Sequence, residues 1–425
     1  MLTLALNLGL AQTGEAYSVL THEAIIDSAW DDSLRPALLK RFPSAQPAEL
    51  RTAHSYAYGG AIIQDMGYYP HGNKLFSDLT HYVRSGDFIE ALLHDAQDLN
   101  EYAFALGAMS HYVADNFGHR LGTNVAEPLL YPRLEKKYGN VMSYEEDPLA
   151  HVMTEFGFDV LEVAKGRYAP DAYRDFIGFN VAERVLDQAF QETYGLPLQS
   201  VFGNEERVMG SYRRDVSSLI PKATKVAWAL KKDDIEKSEP GITRDKFLYN
   251  MSRASYEKNW GRDYQRPNFF DEILAFLFRL VPKIGPLRIL KLRTPTPEAE
   301  KLFEASFNAA LDHYRLLLKE ELQAGSVNLP NDNFDLGAVA GRGVYWMCDR
   351  ATAELMVRLA NTGFEEAAPD LRADLLQFYS EPPAHGPKKL SAKDRRRLRE
   401  ALEELRGATA SLDRASKNAA SGDFY

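Results

Sequence analysis

Apolar residues recur along this chain at three- and four-residue spacing, and no convincing two-residue alternation interrupts them. Leu20 to Leu39 predicts a helix entered through Thr21, with Ala24, Ile25, Ala29 and Trp30 on its apolar face. Pro47 to Met66 predicts another, with Pro47 in the first helical position. The longest regular pattern runs from Asp87 to Phe117, through Phe88, Leu92, Leu93, Ala96, Leu99, Ala103, Leu106 and Met109. Glu146–Ala164 and Tyr173–Thr193 continue the series. Phe269–Arg279, Glu298–Ala324, Leu336–Thr362 and Ala392–Leu412 extend it into the second half. With no strand–helix–strand rhythm, the predicted class is all-α, a multi-helix bundle followed by a helical C-terminal region.

The best candidate boundary is Lys231–Gly241, a charged stretch closing on Pro240-Gly241. It predicts a first domain over 17–235 and a helical extension over 240–425. Glu381–Pro387 reads as a linker to a charge-rich terminal helix, expected to be solvated rather than a nucleic-acid arm. Residues 2–11 are apolar and are followed by the small residues Gly14 and Ala16. Although a positive leader is missing, 1–16 reads as a signal peptide, so the protein is expected to be secreted or periplasmic.

Composition narrows the partners. Of 425 residues, 45% are hydrophobic and 26% charged, which predicts a packed core. A net charge of −10 argues against a stable nucleic-acid partner, and a monomer is expected. Cys348 stands alone, so an intramolecular disulfide and a cysteine-based metal site are excluded and a buried, hydrophobe-like role is expected. The apolar and basic stretch Phe269–Arg293 suits peripheral contact with anionic lipid, but Pro282 and Pro286 interrupt it. A buried helix–turn is the favoured expectation there.

Eight of the ten histidines lie between His22 and His151. Among them, His111, Asp115 and His119 follow one another at four-residue steps, each advancing about 40° around a helix, so the three share a stripe. His151 and Glu155 form a second stripe. Imidazoles and carboxylates aligned on facing helices are how an all-helical protein builds a metal site, and here they predict a multi-zinc enzyme. Asp65, past a helix end, and His81 supply further donors.

The ordered set His22, Asp65, His81, His111, Asp115, His119, His151 and Glu155 resembles the zinc-dependent phospholipase C family, whose all-α superfamily includes single-strand-specific nucleases. The resemblance is strong over about 17–165. It implies up to three Zn2+ ions. Asp65, His81, His111 and Asp115 would hold the first; His119, His151 and Glu155 a second, more exposed one. His22, a shared Asp115 oxygen and the amine and carbonyl of the mature N-terminal residue would hold the third. Tyr17 is the candidate for that residue, where the family usually has tryptophan, and the Asp115–His119 step of four is shorter than the usual six.

The resemblance also implies chemistry. Zinc would activate a water for in-line attack on a phosphodiester, most plainly a phospholipid, with Asp65 as the catalytic group orienting that water or accepting its proton. The alternative is a single-strand-specific nuclease or nucleotidase, which the five-residue Tyr17–His22 spacing favours and the acidity disfavours. A third reading is a non-catalytic helical protein with structural zinc. His54, His71 and His94 do not fit the motif. Asp78 and Asp159 are candidates for orienting imidazoles, and Tyr68, Tyr69 and Phe76 for either the substrate cleft or packing.

Overall fold

A computed structural model describes residues 18–165, 167–168, 179–216, 223, 226–227, 229–231, 291–384 and 390–421. The signal-peptide and Tyr17 expectations fall outside these residues, as do the charged boundary past Lys231, the stretch 269–290 and much of the helix expected from Tyr173. Every regular element among them is helical, apart from one isolated bridge between Asn333 and Ala338. The all-α expectation holds.

The predicted helices appear with shifted ends, and each shift has a local cause. Helix α1 (Val19–Ala29) starts two residues before Thr21 and passes through a π turn at Trp30–Leu34. Helix α2 (Pro47–Gly60) opens with a capping box between Gln46 and Glu49 and stops at its glycine pair. Asp65 therefore sits on a separate 3₁₀ turn, Ile63–Tyr68. Sequence periodicity missed α3 (Lys74–Tyr82), which Asn73 caps through Leu75 N and which carries His81. The long pattern expected from Asp87 to Phe117 is two helices, α4 (Ser85–Asp95) and α5 (Leu99–Phe117). Asp98 breaks it by accepting from the amides of Asn100 and Glu101, both at 2.9 Å.

Helix α5 crosses α2 with almost no space between the backbones. A Cβ on Gly107 would come within 2.1 Å of the Ala57 carbonyl oxygen, and one on Gly60 within 2.0 Å of that of Phe104. No side-chain adjustment relieves a clash with backbone. Gly107→Ala is expected to cost about 3 kcal/mol, read as a lower urea midpoint with an unchanged slope.

After α5 come α6 (Asn124–Leu130), α7 (Pro148–Ala164) and α8 (Glu183–Tyr194). The second half supplies α9 (Pro297–Ala324), α10 (Trp346–Ala360), α11 (Pro369–Ser380) and α12 (Ala392–Ser421). Helix α9 lies across the first-half bundle. The Tyr314 hydroxyl donates to Leu106 O at 2.9 Å, Tyr102 donates to Glu321 at 3.2 Å, and the rings of Phe158 and Phe303 stack at 4.6 Å. Residues on both sides of the 235–240 boundary thus share one hydrophobic core. The charged start of α12 is exposed and rests on Ala401 and Leu405, as expected of a solvated helix. No described helix is long and apolar enough to cross a membrane.

One expectation is corrected here. The helix predicted from Leu336 begins only at Trp346. Gly337 and Gly343 take φ of +62° and +78°, and a left-handed backbone at two positions this close cannot be part of an α-helix. The result is an irregular strap from Val327 to Tyr345. It is tied to the first half by Leu329 N donating to Glu90 (2.6 Å), Tyr112 Oη to Pro330 O (2.8 Å) and Phe334 N to His81 O (3.1 Å).

Candidate metal centre

Asp115, fully buried near the end of α5, is the hub of the site. Its Oδ1 lies 3.4 Å from His22 Nε2 on α1, and its Oδ2 lies 3.2 Å from His111 Nε2 and 3.5 Å from His81 Nε2. Asp65 Oδ1 is 3.2 Å from His81 Nε2, and the Nε2 atoms of His81 and His111 are 3.4 Å apart. Each of those two rings is pinned from behind. His81 Nδ1 donates to Ser77 O at 2.7 Å and His111 Nδ1 to Ala61 O at 2.9 Å, which leaves both Nε2 lone pairs aimed at the carboxylates.

Lone pairs facing lone pairs repel unless a cation lies between them. Neither oxygen of Asp65 or Asp115 receives a hydrogen bond of good geometry, although all are buried. Two ligands at about 2.0–2.1 Å from a tetrahedral zinc lie about 3.4 Å apart, the spacing these atoms already keep. The donor set fits zinc in type, geometry and second-layer support.

The other side of the cluster is built by the chain after α5. It stays helical past Gly118, but as π turns over Gly118–Thr123. Such a bulge is a frequent device at functional sites. It keeps His119 on the stripe, with Nε2 3.9 Å from Asp115 Oδ2 and Nδ1 3.1 Å from His151 Nε2. Glu155, one turn along α7 from His151, brings Oε1 to 2.8 Å of the same His151 nitrogen.

Two further carboxylates join this group without having been read from the sequence. Glu127 on α6 faces His151 Nδ1 at 3.2 Å and fixes that ring from behind. Asp335, on the strap, has Oδ1 3.2 Å from His119 Nε2 and groups with His119 and His151 as a set able to hold an ion. The expectation that the second zinc is more exposed is corrected. His119, His151 and Asp335 are at most 1% exposed and Glu155 2%, because the strap and the surrounding helices cover them.

Without metal, burial and the carboxylates set the charges. Burial disfavours a charged His81, but Asp115 and Asp65 overcome it and push its pKa up to about 10. Burial raises Asp65, whereas His111 and its neighbours hold Asp115 well below the carboxylate range. Burial keeps His119 neutral and lowers His151 to about 4. It also raises Asp335 to about 7 and Glu127 to about 9.

Residues 21–204 match the family model described as zinc dependent phospholipase C. This stretch belongs to the zinc-dependent phospholipase C family. No curated protein and no solved structure matches the chain. The phospholipase C stretch contains His22, Asp65, His81, His111, Asp115, His119, His151 and Glu155, the eight residues its resemblance picked out; Asp335 lies beyond it.

The secondary candidates resolve differently. Asp159 orients no imidazole. It accepts from Leu20 N (3.0 Å) and Thr21 Oγ1 (2.8 Å), anchoring the start of the His22 helix onto α7. Asp78 pairs with Arg350 and Tyr68. His54 is satisfied in the core, 3.2 Å from Asp27 and stacked on Trp30. His71 is an exposed turn residue. Tyr68, Tyr69 and Phe76 are buried packing residues. Cys348 is buried as expected, its thiol pushed up to about 12 by burial.

Proposed function

We propose that the protein hydrolyses phospholipids in the phospholipase C sense, splitting the bond between phosphorus and the glycerol oxygen. The observation carrying this reading is the buried fan of His22, His81, His111 and His119 around Asp115, inside the phospholipase C stretch. Bound zinc would supply an activated water and neutralise the charge developing on the phosphate. His81, His111, Asp65 and Asp115 would hold one ion, His119, His151 and Glu155 a second, and His22 with Asp115 and the Tyr17 amine a third.

The chain's own part is positioning and proton handling. Ser77 O and Ala61 O lock the two rings beside Asp65, so that its carboxylate stays fixed next to the point of attack. Burial raises the basicity of Asp65, which suits it to take the proton lost by the attacking water. That proton then protonates the departing diacylglycerol oxygen, and the phosphorylated headgroup leaves as the second product. Export belongs to the same reading, with removal of 1–16 freeing the Tyr17 amine.

A side-by-side assay on phosphatidylcholine vesicles and single-stranded DNA tests the substrate. Zinc-loaded protein should release phosphocholine, and His111→Ala should not. Cleavage of the DNA alone would move the protein to the nuclease branch, and turnover of neither would remove the enzymatic reading.

A further inference from the structure

The second group of donors contains one more carboxylate than its family stretch provides. Asp335 is 1% exposed and arrives from the strap, far outside residues 21–204. Its side chain and its backbone are each held in place. The Tyr345 hydroxyl donates to Oδ2, and Asn124 Nδ2 donates to the Asp335 carbonyl at 2.7 Å. Phe334 beside it packs on the His81 ring at 5.1 Å and on Tyr112 at 5.4 Å.

Oδ1, the oxygen left over, points at His119. The 3.2 Å separation from His119 Nε2 resembles a hydrogen bond, but the angles do not make one, and that nitrogen is buried without any hydrogen-bond partner. A carboxylate that merely oriented the ring would accept its N–H in line. Two atoms near 3.3 Å that do not bond to one another are what adjacent ligands of one tetrahedral ion look like. We propose that Asp335 is a fourth protein ligand of the ion held by His119 through Nε2 and by His151 and Glu155, and that the strap is part of the metal centre.

Four protein donors close a zinc site, whereas three leave a position for water or substrate. The ion at His119 is therefore retained by both halves of the chain and is the more tightly held for it. Tyr345 acts as a positioning residue, holding Oδ2 so that Oδ1 faces the ion. The assignment rests on the reading of this cluster as a zinc centre, which wild-type metal content tests separately.

The experiment measures zinc per chain and chelator competition in the full-length protein, alongside Asp335→Ala, Asp335→Asn and Tyr345→Phe. Wild type should hold its zinc against dialysis. Asp335→Ala should lose one equivalent selectively, or hold it at least about 100-fold more weakly, and Tyr345→Phe should weaken the same equivalent about 10-fold. Asp335→Asn keeps the shape and an acceptor for Tyr345, so it reports on ligation if the alanine variant misfolds. Both Asp335 variants retaining every equivalent at wild-type affinity would overturn the proposal, as would a uniform loss of all ions. A wild type without zinc would instead overturn the metal reading itself.

Discussion

Asp115→Asn is expected to lower kcat/KM on phosphatidylcholine by at least about 1,000-fold, on the order of 4 kcal/mol of transition-state stabilisation. Both Asp115 oxygens serve the centre, Oδ1 toward His22 and Oδ2 toward His81, His111 and His119. An amide offers one neutral oxygen and turns an N–H group toward ring nitrogens that need a cation. More than one ion should therefore leave at once, and zinc analysis should record a loss greater than one equivalent. Circular dichroism would show whether the helices survive. A variant that keeps its zinc and its rate would remove Asp115 from the hub of the site.

Chelation should have the largest effect on stability. An ion present at a thousand times its dissociation constant contributes about 4 kcal/mol through mass action, so stripping several ions should lower Tm by at least about 10 °C. The stripped protein should also show a pH dependence of its own, set by the titration of its buried ligands. His81, raised to about 10 in the folded metal-free protein, contributes stability that is complete below 6.5 and fades as pH climbs through 10. His151, lowered to about 4, works the other way, and its contribution fades as pH falls from 6.5 through 4. Asp335 and Glu127, raised to about 7 and about 9, also lose their stabilising share as pH rises, so stability of the stripped protein should peak below pH 6.5. Because the ion takes the place of the His81 proton, zinc binding should release protons, seen as buffer-dependent heats in calorimetry at pH 7–9. Equal Tm curves with and without chelator would contradict a resident metal.

The first-half ligands were legible because helical spacing writes geometry directly into sequence. His111, Asp115 and His119 are one turn apart, as are His151 and Glu155, and the π turns at Gly118 kept that alignment. Asp65 and His81 were readable only through their order in the family resemblance, since a 3₁₀ turn and a short capped helix leave little periodicity. The break at Asp98 was visible in principle, because Asp98 with Glu101 is a helix-start signature inside the longer apolar pattern.

Asp335 was beyond this kind of reading. A tertiary contact from an irregular strap has no spacing to betray it, and the helix expected from Leu336 pointed elsewhere. Pro330-Asn-Asp-Asn-Phe-Asp-Leu-Gly337 has turn composition, but such composition says nothing of where a loop goes. Glu127 was hidden for a similar reason, since Pro128 within α6 obscured the helix that delivers it to His151.

The strap also sets the order in which the protein can be finished. Asn124 and the Asp335 carbonyl it binds are 211 residues apart in the chain. At about 5–20 residues per second, a ribosome takes roughly 10–40 s to cover that distance. For that interval the imidazoles and carboxylates of the first half exist without the strap that buries them. A chain halted or clipped before the strap would carry the whole family signature and yet leave its ion-binding side chains open to solvent and to the wrong metals. Biogenesis of this centre is completed from the far end of the polypeptide.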